Sequence, residues 1–196
     1  MTLSKLRELV RLRIRDTKKP YFFSDQEIDA NINEAQREAC TRAFLIEDDE
    51  VTTVDIVTGE CRYDLDPRVI DVLDISIGTT NPQSFTDGWT LTEGKLLIER
   101  EPVADDVLTL HAYLLPSAEM VDDDDEPEIR EVHQTRMLDW AISLCFQVQD
   151  ADMFDQNAAD RYAAKFSESF GDRPNALTMR NWRDKSIHVV NGNGYI

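Results

Sequence analysis

Three kinds of residue in this chain could carry chemistry, and spacing argues against each. Asp122-Asp123-Asp124-Asp125-Glu126 packs five carboxylates into consecutive positions, a density that could attract a cation. A calcium loop, however, needs a turn glycine and a distal bidentate glutamate at fixed offsets, and this run has neither. A solvated acidic loop is the simpler expectation. A smaller group, Asp150, Asp152 and Asp155, precedes Gln156-Asn157-Ala158, where Asp155 stands in the place of a helix N-cap. His111, His133 and His188 lie far apart, and none pairs with Cys, Asp or another His at a metal-ligand spacing. Cys40, Cys61 and Cys145 are odd in number and sit in apolar periodic segments, so buried reduced thiols are expected.

Catalytic and nucleotide chemistry fare no better. No nucleophile stands in a strand–glycine–helix elbow. The seven glycines are scattered, with no GxxxxGK or GxGxxG run to cradle phosphates. The expectation is a non-enzyme without cofactor or metal. Trp140 belongs to a helical stripe and is expected in the core. Trp89 and Trp182, placed in a loop and in the tail, are better suited to contact a partner, because a large amphipathic ring in irregular structure needs a surface to cover it.

The elements that must position these residues follow from periodicity. Leu3, Leu6, Leu9, Val10 and Ile14 stripe a first helix over Thr2 to Arg15. A loop with Pro20 and the run Tyr21-Phe22-Phe23 follows, the aromatics expected against the core. Ser24-Asp25-Gln26-Glu27 reads as a capping box opening a second helix, striped by Ile28, Ile32, Ala35 and Ala39 and running to about Ile46. Glu47-Asp48-Asp49-Glu50 would then sit at its C-terminus, opposing the macrodipole and fraying it. From there the period changes to two. Thr52, Val54 and Ile56, a turn at Thr58-Gly59-Glu60, and Cys61, Tyr63 and Leu65 read as a hairpin. Val69 to Ile77, Leu91 to Ile98 around Gly94, and Val107 to Leu115 read as three more strands, with an exposed loop between Gly78 and Gly88. An acidic connector, Pro116 to Glu126, leads into two more helices. Their stripes are Met137, Leu138, Ala141, Leu144, Cys145 and Val148, then Ala159, Tyr162, Ala163, Phe166 and Phe170. Gly171 and Pro174 stop the last helix.

The order of helices, strands, helices predicts an α+β fold, mainly α. It is a helical bundle of two N-terminal and two C-terminal helices (3–46 and 128–171) carrying a small antiparallel β insertion (51–115). Residues 1–174 form one domain, and 175–196 form an extended C-terminal tail. The length of 196 residues and 41% hydrophobic content suffice for one core. No apolar stretch is long enough to span a bilayer, and the opening residues lack the apolar centre of a secretory signal. Assembly in a reducing cytoplasm is expected.

Net charge is −18, and its placement matters more than its size. Residues 1–19 hold seven basic side chains against two acids, and residues 172–196 hold four against two. The other 35 of the 39 acids all fall between. An acidic body repels phosphates, so sequence-specific DNA binding is excluded. Basic ends on an acidic body favour contact between copies, or docking on an acidic partner.

The helical segments resemble the head-to-tail adaptor, or connector, proteins of tailed bacteriophages. The likeness lies in the opening run Leu3 to Arg13, then Asp16-Thr17-Lys18-Lys19-Pro20-Tyr21, Ser24 to Ile28 and Asn33 to Ala39. Leu138-Asp139-Trp140-Ala141, Gln149-Asp150-Ala151-Asp152 and Phe170-Gly171-Asp172-Arg173-Pro174 continue it. It is weak across residues 78–126. The resemblance implies a virion structural protein at the head–tail junction, assembled in the host cytoplasm. It implies a homo-oligomeric ring, typically of twelve copies, held between the portal protein and tail or nozzle proteins. Genomic DNA would pass through without sequence-specific binding, and no membrane is involved. A tail-completion protein or other assembly module is the alternative. It further implies a portal- or neighbour-docking tail with Leu177, Met179, Arg180, Trp182, Arg183, Ile187, Val189 and Tyr195, ordered on assembly. In such a ring Glu47, Asp48, Asp49 and Glu50, and Asp122 through Glu126 (Asp123, Asp124 and Asp125 between), become candidate channel-lining acidic loops.

Overall fold

The computed structural model describes residues 1–78, 83–85, 88–92, 94–99, 106–148 and 154–175. Among the described residues the fold is α+β, with four helices and antiparallel sheets, divided into two compact units. One unit is built from both flanks of the chain, Met1–Ile46 and Leu115–Arg173; the strands lie in the other, from Glu47 to Leu114.

In the helical unit α1 (Leu3–Ile14) and α2 (Asp25–Ala43) come from the first flank. The second flank supplies α3 (Glu131–Gln147) and α4 (Gln156–Phe170). α3 packs against all three others, which makes it the centre of the unit. Its Met137, Leu138, Ala141, Ile142 and Cys145 are fully buried. The helices packed against α3 bury Leu3, Leu6 and Val10 of α1, Ile28, Ile32, Ala35 and Ala39 of α2, and Ala159 and Phe166 of α4, as a stripe at three- and four-residue steps requires. The expected capping box is formed. Ser24 Oγ accepts from the Glu27 amide at 3.2 Å and the Glu27 carboxylate accepts from the Ser24 amide at 2.8 Å. Asp155 caps α4 by accepting from the Ala158 amide at 3.0 Å. Gly171 ends α4 at φ +81°, ψ 174°, a conformation essentially reserved for glycine. Its amide returns to the Ser167 carbonyl at 2.8 Å.

The strand unit holds two antiparallel sheets. The first has the order β1 (Glu47–Ile56), β7 (Asp106–Leu114), β3 (Val69–Ile77) and β4 (Gln83–Phe85); the second has β2 (Arg62–Asp64), β6 (Lys95–Ile98) and β5 (Trp89–Thr92). Strand β7 is central and alternates strictly, with Leu108, Leu110, Ala112 and Leu114 buried.

Several expectations are corrected here. β1 and β2 do not form a hairpin. β1 pairs with β7 (Val54 opposite Leu108) and β2 pairs with β6 (Tyr63 opposite Leu96), in different sheets. The expected single strand Leu91 to Ile98 is two, β5 and β6, paired with each other and separated by a turn at Gly94 with φ +77°. Trp89 opens β5 and is not in a loop. Helix α2 stops at Ala43 because Phe44 adopts a left-handed conformation (φ 51°, ψ 51°) that returns its amide to Cys40. Glu47-Asp48-Asp49-Glu50 therefore begins strand β1 and is neither a helix end nor a loop. Those acids escape the negative end of the helix dipole, and the β-branched run Val51-Thr52-Thr53-Val54 favours the strand. Of Tyr21-Phe22-Phe23 only Phe23 is buried; the other two are more than a third exposed.

Candidate functional site

The chain's candidate docking segment begins where α4 ends, and the described structure reaches as far as residue 175. The root of that segment is held by one arginine. Arg42 lies in the last turn of α2, four residues after Glu38, so both side chains project on one helix face. Glu38 Oε1 accepts from Arg42 Nε and Nη2, each at 2.8 Å, and the two side chains are only 3% and 7% exposed. Arg42 Nη1 donates to Ser167 Oγ at 2.9 Å and to the Gly171 carbonyl at 3.2 Å. A cation at the carbonyl end of α4 also answers its macrodipole. The guanidinium lies over two adjoining rings, 4.8 Å from the centre of Trp140 and 4.9 Å from that of Phe166, which are 5.3 Å from each other. Arg173 then approaches the second Glu38 oxygen at 3.6 Å. One buried ion pair thus ties α2 to α3, to the end of α4 and to the first residues beyond it.

A second arginine system shapes the two ends of α1. Arg11 donates to Asp16 at 2.8 Å, to Asp25 at 2.6 Å and to the Phe23 carbonyl at 2.9 Å. Asp16 also accepts from the Phe22 and Phe23 amides at 2.9 and 3.2 Å. The Arg11 hydrogen bond holds the Asp25 carboxyl below its ordinary value. At the other end Arg7 grips Asp29 with two bonds of 2.7 Å and Asp123 at 2.9 Å. These bonds, that to Asp29 foremost, hold its guanidinium above the ordinary arginine value. Of the seven basic side chains in residues 1–19, Arg7, Arg11 and Arg13 are spent on internal pairs, Arg13 with Asp139 at 3.3 Å.

The acidic run 122–126 is solvated as expected, and its backbone is also fastened. The Leu3 and Ser4 amides donate to the Asp125 and Asp123 carbonyls at 2.7 and 3.2 Å. These amides open α1 and have no partner inside the helix. Asn33 exchanges two 2.9 Å bonds with the Met120 backbone. The Asp125 carboxylate folds back onto the Val121 and Asp122 amides, which hold it ionised below its ordinary value. Asp122, Asp123, Asp124 and Glu126 keep their side chains exposed.

In the strand unit His111 on β7 stands between Asp74 of β3 and Glu47 of β1, with ring nitrogens 3.1 and 2.7 Å from carboxylate oxygens. Only the imidazolium can donate to both. The hydrogen bonds to Asp74 and then Glu47 hold its value above the ordinary 6.5. A raised value means that the contribution is complete below the unfolded-state value and fades as pH rises through the folded-state one. The melting temperature of the native chain minus that of His111→Asn should therefore shrink from mildly acidic to mildly alkaline pH. The pair is partly exposed, so the whole effect stays within about 1 kcal/mol. A difference independent of pH would rule it out.

The sequence-expected sites divide accordingly. Leu177, Met179, Arg180, Trp182, Arg183, Ile187, Val189 and Tyr195 lie outside the described residues, as do Asp150, Asp152 and His188. Among the described residues no group of His, Cys, Asp and Glu could hold a metal ion, and none of their helices is long and apolar enough to cross a membrane. Burial pushes the Cys40 thiol up to about 12 and the Cys145 thiol up to about 11, so both stay protonated at neutral pH. Three assemblies escaped the sequence: Glu38–Arg42, Arg11–Asp16 and His111 with its carboxylates. Only the first left a signal, an acid and a base four residues apart on one helix.

A family model described as SU10 adaptor protein matches residues 1–189. The chain belongs to that family. As an SU10 adaptor it is a bacteriophage structural protein of a non-enzymatic family. No curated protein matches the adaptor.

Proposed function

We propose that this adaptor forms a homo-oligomeric ring, with the twelvefold symmetry that the resemblance implies, joining the portal protein to tail or nozzle components at the head–tail junction of the virion. Genomic DNA passes through the ring without base-specific contact. The observation that carries the proposal is the extent of the family match, which runs past the last helix to residue 189 and so includes most of the tail. In this reading residues 175–196 are the portal-docking peptide. Leu177, Met179, Trp182, Ile187, Val189 and Tyr195 bury against the portal or a neighbour, and Arg180 and Arg183 meet acids there. Arg42, by fixing Ser167 and the Gly171 carbonyl, sets the direction in which the peptide leaves.

An acidic wall facing the DNA keeps it from adhering as it moves, and a ring multiplies each carboxylate by its symmetry. Glu47, Asp48, Asp49 and Glu50 on β1 are the candidates for that wall. The loop Asp122–Glu126, fastened to the start of α1, is the weaker candidate.

The test mixes the full chain with portal rings from the same phage and images the particle at side-chain resolution. A closed ring seated on the portal through the tail, with β1 acids facing the axis, is the expected result. Limited trypsin digestion gives a second readout. Cleavage after Arg173, Arg180 and Arg183 should be fast for the free chain and at least about tenfold slower in the complex, as ordering on binding removes accessible conformations. A chain that stays monomeric beside portal rings, with unchanged cleavage, overturns the proposal.

A further inference from the structure

Loops of opposite charge flank the two ends of helix α1, and both are fixed by bonds within the same unit. At the C-terminal end Asp16 and Arg11 hold the following loop in place. Arg15, Lys18 and Lys19 project from it into solvent, with Tyr21, Phe22 and Leu12 exposed at 39%, 37% and 64%. No salt bridge involves those three cations among the described residues, although Lys19 lies over the Tyr21 ring at 5.6 Å and within range of Asp25. At the N-terminal end the Leu3 and Ser4 amides hold the loop that exposes Asp122 and Asp124, with Val121 beside them at 76% exposure. The twelve residues of α1 set these surfaces roughly 18 Å apart along the helix. One surface is basic with an apolar rim. The other is acidic with an apolar neighbour. They cannot reach each other within one molecule.

We infer that the basic loop of one copy docks on the acidic loop of the next. Lys18 and Lys19 meet Asp122 and Asp124, and Leu12 and Phe22 cover Val121. The occupant is a second copy of this chain because both halves of the complement are present on the same rigid unit. A contact between two different patches is heterologous, and repeated head to tail it closes a ring when the rotation allows. The inference rests on the proposed ring and assigns its subunit contact. It also accounts for a basic loop on a chain of net charge −18, where nucleic acid would be repelled by the rest of the surface.

Charge exchange in the full chain tests it, with assembly on portal rings followed by native mass spectrometry. Lys18→Glu/Lys19→Glu and Asp122→Lys/Asp124→Lys should each weaken assembly about tenfold or more, since like charges then face each other across the contact. These side chains lie outside the internal ion pairs, so thermal melting should show both variants folded. Mixing the two variants, or combining all four substitutions in one chain, should restore assembly. Restoration supports the contact. Assembly of both variants at the native level overturns it while leaving the ring intact. Native rings in the Lys18/Lys19 variant with altered DNA retention overturn it too, and assign the basic loop to nucleic acid. Failure of the native chain to assemble would instead remove the ring itself.

Discussion

Arg42→Ala should cost about 3–5 kcal/mol of unfolding free energy, the range for a buried ion pair deprived of one partner. The substitution strands the Glu38 carboxylate, which is 2% exposed. It removes the donors to Ser167 and Gly171 and the cation that lies over the Trp140 and Phe166 rings. Arg173 lies 3.6 Å from Glu38 but is two-thirds exposed, so it can compensate only in part. Arg42→Lys should recover part of the loss, because an ammonium keeps the charge but neither the fork nor the flat stacking surface. Urea denaturation measures both. A loss below about 1 kcal/mol for the alanine variant would mean that the pair behaves as a solvated surface bridge.

Asp16→Ala should lose about 3 kcal/mol, since it breaks a charged hydrogen-bonded pair and orphans backbone donors. Asp16 is 8% exposed and serves three groups at once: Arg11 and the amides of Phe22 and Phe23. Arg11 keeps Asp25 and the Phe23 carbonyl, so the helical unit should survive. The α1–α2 loop should not keep its shape. Hydrogen exchange at the Phe22 and Phe23 amides should accelerate more than at α2 amides. Equal acceleration in both would show a global loss of stability, with no special hold on the loop. Removing the exposed Arg37–Glu119 pair, 3.7 Å apart and more than half exposed on both sides, makes the comparison: about 0.5 kcal/mol or less.

What the sequence made legible was local. The stripes of all four helices (except Val148, which lies past the end of α3 and is 41% exposed), the Ser24 capping box and the Asp155 cap depend on neighbours within four positions, and each stands in the structure. Strand β7 was equally clear, since alternation marks a half-buried strand wherever its partners lie. Pairing was not legible. β1 faces the turn residues that suggest a hairpin, yet its partner is β7, some fifty residues later. Gly94 looked like an interruption within one strand and is a turn between two. The acids 47–50 were placed on a helix that Phe44 had already ended. The three charged assemblies were hidden for the same reason: Arg11 with Asp25, Arg42 with Gly171 and His111 with Asp74 and Glu47 meet only after folding. The adaptor family was visible in the helical runs, where its match to residues 1–189 bears out the resemblance.

The helical unit takes its halves from opposite flanks of the chain, and synthesis is directional. Helices α1 and α2 leave the ribosome while α3, which covers them, is still untranslated; the strands of the other unit come between. At roughly 5–20 residues per second, that interval lasts on the order of 5–20 seconds. Throughout it Leu6, Val10, Ile28 and Ile32 lack their final cover, and apolar surface left open in this way is prone to aggregate. Messages cut short before α3 would yield products whose sticky helices never close, whereas the strand segment can be complete before the helical one begins to pack.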